Sequence, residues 1–496
     1  MSIKISYLAR ASKIQSLGLL VTVASLPWSP FGTSLGMGIL ALSWVFAVAT
    51  KSTLKPSKNL LPKALIAGFI WCALGVLWSS DFAEGIAAVN IKLPMLIVPL
   101  AMFYVPLGDY KTASKAFLIS SFLAALTGIF CGHFISPNLF SPFISHIRMG
   151  LILALGSGIL LLNKKWLLSG LYIAVALTSV WFTRSVTGLG MIAFSIFFSA
   201  VTTTFPKHRT ATILASLFAV FTSIYITIGA LMPQPFSGTL EDETPWGGKY
   251  THYPHRQLEE NGNKVWVNLA VDEMRPEWNL KSSVPFDSTD AKGHSIQSTL
   301  IRFLTSQGKL KNGEVVKAMS DEEISSVEAG HTSIRELTHS GLSLRLDDLK
   351  FEIGNYLDGG SPDGNSVTMR FEAYRAAWHI IKKMDPLSKF IGVGTGDLPN
   401  EFKKSYVDSD SALSQKFWIR THNQYIAWWV GCGLIGLALW LIALYGSWIQ
   451  GGDISRLAWW IVAVSCLAED TLETQAGVTF AVLAMVVFGL VSNKKN

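Results

Sequence analysis

The stretch THNQYIAWWVGCGLIG, residues 421–436, sets a histidine and an asparagine at the mouth of an apolar run, with Gly433 and Gly436 further in. An imidazole titrating near pH ~6.5 can take a proton from a hydroxyl or hold that hydroxyl in place. Asn423 can cap a helix or orient a neighbouring group. At helical spacing His422, Ile426, Trp429, Gly433 and Leu437 follow one face, with Gly436 beside them. Glycines on such a face let a second helix approach closely. Taken alone, the histidine reads equally well as a helix-boundary residue.

Guanidinium groups supply a second kind of chemistry. ISHIRMG carries His146 and Arg148 at the end of one apolar run, and WFTRSVTGLG carries Arg184 in a short turn between two others. Arg370 and Arg375 lie on VTMRFEAYRAAWHIIKKM, residues 367–384, which reads as an amphipathic helix. There Phe371, Tyr374, Arg375, Trp378 and Ile381 share a face, so Arg375 points with aromatic rings. It is either a cation–π or snorkelling residue at headgroup level or a ligand contact. Arginines and histidines gathered on one membrane face make an anion pocket, because the planar fork matches phosphate oxygens. Lys92, in VNIKLPML, is either a lumen-facing contact to such a phosphate or a snorkelling residue.

Other motifs carry less. IGVGTGD, residues 391–397, lacks the Lys-Ser/Thr of a phosphate loop and reads as a tight, flexible turn returning the chain to the membrane surface. Cys72, Cys131, Cys432 and Cys466 lack metal-ligand spacing and read as buried small hydrophobes. The acidic run Glu241, Asp242, Glu243 reads as a solvated loop, so no metal site is expected.

The elements that must position these groups are set by composition. Half of the 496 residues are apolar and only 15% are charged, against about a quarter in soluble domains. Apolar runs near 14–28, 34–49, 64–78, 90–106, 115–132, 147–162, 166–182, 186–203, 211–231, 424–448, 457–468 and 474–491 predict an all-α polytopic membrane protein of about twelve spans. Lys4, Arg10, Lys13, Lys51, Lys55, Lys58, Lys63, Lys111, Lys115, Lys164, Lys165, Lys207, Arg209, Arg456, Lys494 and Lys495 fall on one side. The opposite short loops hold little beyond Asp81, Glu84, Arg148, Arg184, Glu469, Asp470 and Glu473. That asymmetry predicts cytoplasmic termini and accounts for the formal charge of +7 without nucleic acid. LPWSPFGT lacks a convincing cleavage site, so the first run reads as a retained anchor.

Three regions follow: a membrane region at 1–231, an extracytoplasmic loop domain at 232–423, and a second membrane region at 424–496. The loop is too long for a plain connection and too rich in aromatic and β-branched residues to be disordered throughout. IQSTLIRFL (296–304) and DEEISSVEAG (321–330) read as helices, and GGSPDGNS (359–366) as a hinge.

HNQYIAWWVGCGLIG, with RFEAYRAAWHIIKKMDPLSKFIGVGTGD and TRSVTGLG before it, resembles the O-antigen ligase and polymerase superfamily. His-Asn, nine residues, then Gly-x-x-Gly matches the ligase signature through His422, Asn423, Gly433 and Gly436. ENGNKVWVNLAVDEMRPEWNLKS and STLIRFLTS resemble a Bacteroidetes subgroup with an enlarged periplasmic loop. The resemblance implies a GT-C-type inner-membrane glycosyltransferase, a monomer without metal, cofactor or nucleotide sugar. Its donor would be an undecaprenyl-pyrophosphate-linked glycan on the periplasmic side, and a ligase would move that glycan onto lipid A–core oligosaccharide. Repeat-unit polymerases and protein O-oligosaccharyltransferases share these features. By resemblance, Arg184 and either Arg370 or Arg375 hold the pyrophosphate, and His422 meets the acceptor hydroxyl; Arg148, His146, Asn423 and Lys92 are further substrate contacts. A twelve-span transporter is the competing non-enzyme class, but transporters usually show related halves and interrupted helices.

Overall fold

The structure is a computed structural model that describes residues 2–54, 58–204, 238–338, 342–365, 367–418 and 420–488. Helices dominate. In chain order they are α1 (Ser2–Ser25), α2 (Pro30–Ala49), α3 (Leu60–Leu74), α4 (Phe82–Ile91), α5 (Pro94–Tyr104), α6 (Tyr110–Phe134), α7 (His146–Leu162), α8 (Trp166–Phe182) and α9 (Val186–Thr204). Then come a short antiparallel hairpin, β1 (Glu259–Glu260) and β2 (Asn263–Lys264), and α10 (Val271–Lys281), α11 (Ile296–Ser306), α12 (Gly313–Lys317), α13 (Asp321–Glu328), α14 (Arg335–Thr338) and α15 (Leu342–Leu357). The chain continues with α16 (Thr368–Lys383), α17 (Pro386–Ile391), α18 (Leu398–Asp408), α19 (Gln424–Ile449), α20 (Asp453–Ala468) and α21 (Gln475–Leu483), which runs on as a π-helical turn at Ala484–Phe488.

Among the described residues, α2, the α4–α5 pair, α6, α9 and α19 are long and apolar enough to cross a membrane. α3, α7, α8 and the 475–488 helix are apolar but shorter. The expected span at 211–231 lies outside the described residues. Packing around these helices suits a lipid solvent. Leu167 is 88% exposed, and Leu168 and Leu171 are exposed with it on α8. An apolar helix side left open in this way is costly in water but not in hydrocarbon. Inside, buried hydroxyls return their protons to their own helix: Ser157 Oγ donates to the Leu153 carbonyl at 2.8 Å and Ser121 Oγ to the Phe117 carbonyl at 2.7 Å. Every residue from 477 to 488 is buried.

The chain divides into two compact units, one formed by Met1–Ser216 with Glu372–Asn496 and the other by Leu217–Phe371. The second unit has its own core, including Trp278, Phe286, Leu300 and Phe303. Its α11 and α13 cover the helices expected at 296–304 and 321–330. α13 starts with a reciprocal cap between Ser320 and Glu323, which satisfies two otherwise open backbone donors. Gly359 and Gly364, in the stretch read as a hinge, adopt positive φ.

In the first unit α19 is broken. Gly433 sits at φ 69° and ψ −177° inside an otherwise helical run. The IGVGTGD segment fills the break. Val393 N–H donates to the Val430 carbonyl at 2.9 Å and Gly394 N–H to the Gly431 carbonyl at 3.2 Å. Trp71 Nε1 donates to the Cys432 carbonyl at 2.7 Å. Residues 394–398 are buried, and the Asp397 carboxylate accepts from Ser80 N, Ser80 Oγ and Asp81 N within 2.9 Å. The glycine-rich segment is therefore a buried plug and not a flexible surface turn. The physical reason is backbone accounting, since a helix opened in an apolar interior needs donors for its freed carbonyls.

The break also corrects the reading of a continuous face from His422 to Leu437. Gly433 does permit close approach, but to a loop: a Cβ there would stand 2.1 Å from the Phe390 carbonyl oxygen. Interrupted helices in ion-coupled transporters offer their open carbonyls to the ion. Here the carbonyls of residues 430–432 accept from this chain's own donors.

Candidate functional site

The segment Arg420–Gln424 enters α19 across the short connection Glu469–Glu473 between α20 and α21. Asn423 is the N-cap of α19: its Oδ1 accepts from Tyr425 N at 3.1 Å and Ile426 N at 3.2 Å. Its Nδ2 donates to the Leu467 carbonyl at 3.3 Å. Thr421 is fully buried, takes the Asn423 N–H at 3.0 Å, and shares a 3.2 Å hydrogen bond with Asp470. Between these two anchors His422 is held at φ 50°, a left-handed conformation that costs a non-glycine residue of order 1–3 kcal/mol. The anchors on either side over-determine it.

The carboxylates of the connection face His422, Arg420 and Lys92, with Arg420 shared between two of them. Glu469 Oε2 lies 3.5 Å from His422 Nδ1. Asp470 Oδ2 lies 4.0 Å from Arg420 Nε. Glu473 is buried, accepts from Lys92 Nζ at 2.9 Å and Gln424 Nε2 at 3.1 Å, and has Arg420 Nη1 at 3.8 Å. Burial pushes the Asp470 carboxyl up, and the neighbouring Glu473 charge adds to that, while His422 and Arg420 oppose it. Lys92 is 2% exposed, so neither snorkelling nor an open phosphate contact describes it. Its charge is spent on Glu473.

A cavity of about 410 Å³ opens beside this segment, lined by Glu84, Pro399, Phe402, Lys403, Trp418, Arg420, His422 and Asp470. Trp418 forms a flat wall, stacked on buried Tyr406 at 5.6 Å and 14°, with Nε1 donating to the Leu413 carbonyl at 2.7 Å. The cavity therefore combines an imidazole, two cations, an aromatic face and carboxylates.

The other arginines are placed by helix crossings. A Cβ on Gly150 would lie 2.6 Å from Gly188 Cα, so α7 and α9 cross without a side chain between them. Arg148 lies just before Gly150 in α7, and Arg184 lies in the turn that leads into α9 and Gly188. Arg148 Nη1 donates to Ser145 Oγ at 3.4 Å, and the Glu469 carboxylate acts on both His146 and Arg148. Arg184 is exposed in its turn at φ 51° and makes no ion pair among the described residues. On α16, Ala373, Ala376, Ala377 and Ile380 form the buried side, and Arg375 and Trp378 are exposed. Arg375 lies 3.7 Å from buried Glu372 and donates to the Ser409 carbonyl at 3.2 Å. The adjacent Tyr374 hydroxyl donates to Leu467 O at 3.4 Å, the same carbonyl that Asn423 uses. Arg370 is half-buried in the second unit.

Residues 319–441 match the O-antigen ligase family, a span that takes in α16, the glycine plug, His422, Asn423 and the break at Gly433. That match supports membership of the O-antigen ligase family. No curated protein matches it. The ligase-family stretch ends inside α19, so Glu469, Asp470 and Glu473 lie beyond it although they hold the His422 segment in place. Arg420, Trp418 and Gln424 were not singled out by sequence reasoning. The available signal was AEDTLE, a carboxylate-rich run between two apolar helices, where unpaired charges are too costly to persist.

Proposed function

We propose that this O-antigen ligase-family protein is an inverting glycosyltransferase that moves a glycan from undecaprenyl pyrophosphate onto lipid A–core oligosaccharide. In this reading it lies in the inner membrane with about twelve spans, residues 232–423 are periplasmic, and the termini are cytoplasmic. The observation that carries the proposal is His422, held on a left-handed backbone at a cavity wall with Glu469 behind its Nδ1.

The acceptor oxygen attacks the anomeric carbon as the bond from that carbon to the pyrophosphate oxygen breaks. The bonding pair leaves with pyrophosphate, and the acceptor proton passes to His422 Nε2. Glu469 then faces the cationic imidazolium. Such a positioned base contributes roughly 10²–10⁴-fold. Charge growing on the leaving pyrophosphate is met by fixed guanidinium groups, for which Arg148, Arg184 and Arg375 are the candidates. The Trp418 wall and the polar groups beside it suit a sugar ring, which has apolar C–H faces and hydroxyl edges. Asp470 and Glu473 have protein partners, and this supports leaving-group stabilisation by arginine over a carboxylate-bound metal.

The test is incubation of purified protein with lipid-linked glycan and either lipid A–core or a second lipid-linked unit. Glycan joined to lipid A–core supports the ligase reading. Lengthening of the lipid-linked chain alone replaces it with a polymerase. No transfer to either acceptor, with the donor intact, overturns it.

A further inference from the structure

The second unit contains a cavity of about 340 Å³ whose walls include Glu259 of β1, β2, residues 238–239 and 267–268, Thr305 and the segment Gly308–Lys311. Small-ligand sites usually span about 300–1,000 Å³. This cavity lies wholly outside the ligase-family match, which begins at residue 319. Three lysines line it. Lys264 is paired with Glu259 at 3.0 Å and Lys309 with Glu323 at 3.0 Å.

Lys311 differs from the other two. It is 4% exposed, and among the described residues it forms no ion pair and no neighbouring charge acts on it. Its ammonium carries three donors, and the single recorded acceptor is the Lys264 carbonyl at a long 3.3 Å. Burial alone pushes this amine down to about 8, with no neighbouring charge offsetting it. A buried cation so poorly partnered is unfavourable unless an anion completes its shell. Around it stand the side chains of Thr239 and Asn263, with Asn268 and Thr305 hydrogen-bonded to backbone and the Glu259 carboxylate held by Lys264.

We propose that this cavity binds an anionic, hydroxyl-bearing ligand, the carboxylate or phosphate group of an acidic sugar, with the Lys311 ammonium as its counter-ion. The cavity would give the second unit a glycan-recognition role separate from transfer at His422. The proposal does not depend on the transferase reading, since binding can be measured without turnover.

The experiment is equilibrium binding to full-length protein in detergent, using glucuronate, inorganic phosphate and glucose as probes. Saturable one-to-one binding of glucuronate or phosphate is expected, with glucose at least ten-fold weaker. Glucuronate binding without phosphate identifies a carboxylate ligand, and the reverse identifies a phosphate ligand. Lys311→Met should weaken the anion at least ten-fold. Asn263→Glu, at an exposed position on β2, places a carboxylate at the rim without disturbing the core and should also weaken it about ten-fold. Absence of saturable binding by both anions overturns the proposal. Unchanged affinity in Asn263→Glu or in folded Lys311→Met does so too.

Discussion

The Lys92 ammonium donates to the Glu473 carboxylate at 2.9 Å with both side chains buried, across 381 residues of sequence. This pair ties the α4–α5 junction to the connection that carries Glu469 and Asp470. Removing one member leaves the other as an uncompensated buried charge, which costs about 3–5 kcal/mol. Lys92→Met should therefore lower the denaturation midpoint in detergent, and Lys92→Met with Glu473→Gln should recover part of the loss. Equal stability of wild type and Lys92→Met would remove the pair from the folding account.

Gly433 and Gly190 should respond in opposite ways to alanine. At Gly433 a Cβ meets the Phe390 carbonyl at 2.1 Å on a backbone with φ 69°. At Gly190, in α9, a Cβ meets nothing within 4 Å. Gly433→Ala should cost at least ~1–3 kcal/mol from backbone strain, with the steric clash in addition. Gly190→Ala should be neutral or stabilise by up to ~1 kcal/mol. Thermal unfolding of the two purified variants measures the difference.

His422→Ala should keep the fold and donor binding while slowing transfer by roughly 10²–10⁴-fold. Glu469→Gln keeps the shape of the side chain but removes its charge, so it should slow transfer less than His422→Ala does. Partial activity in His422→Gln would favour orientation of the acceptor over proton transfer. Undiminished transfer by His422→Ala would dismiss the catalytic role.

Arg184 is exposed, so its replacement should not harm folding. Arg184→Ala and Arg148→Ala should each slow transfer by about 10²-fold, the scale of a lost charge-stabilising donor. Arg184→Lys should remain impaired, because an ammonium cannot reproduce the fork. Activity should persist in excess EDTA. Loss in EDTA with recovery on Mg²⁺ addition would shift the mechanism to a metal.

Ser361 is exposed in the connection between α15 and α16. Ser361→Cys should react with a membrane-impermeant maleimide once the outer membrane alone is permeabilised. Reaction only after inner-membrane disruption would invert the proposed topology.

The sequence by itself determined the helical membrane character and the motif that carries the family match. Those properties are local: a run of apolar residues or a His-Asn followed by two spaced glycines can be read without knowing its neighbours. Only the tertiary structure decided what the motif glycines do, because the break at Gly433 is stable only when residues 393 and 394, far back in sequence, supply the missing N–H donors. It also decided the partners of the charges. Lys92 read as either a phosphate contact or a snorkelling residue because its countercharge, Glu473, lies at the other end of the chain. Arg420, Glu469 and Asp470 looked like ordinary loop charges until folding placed them around His422. Pairing energies depend on distance and burial in space, and neither quantity is written in residue order.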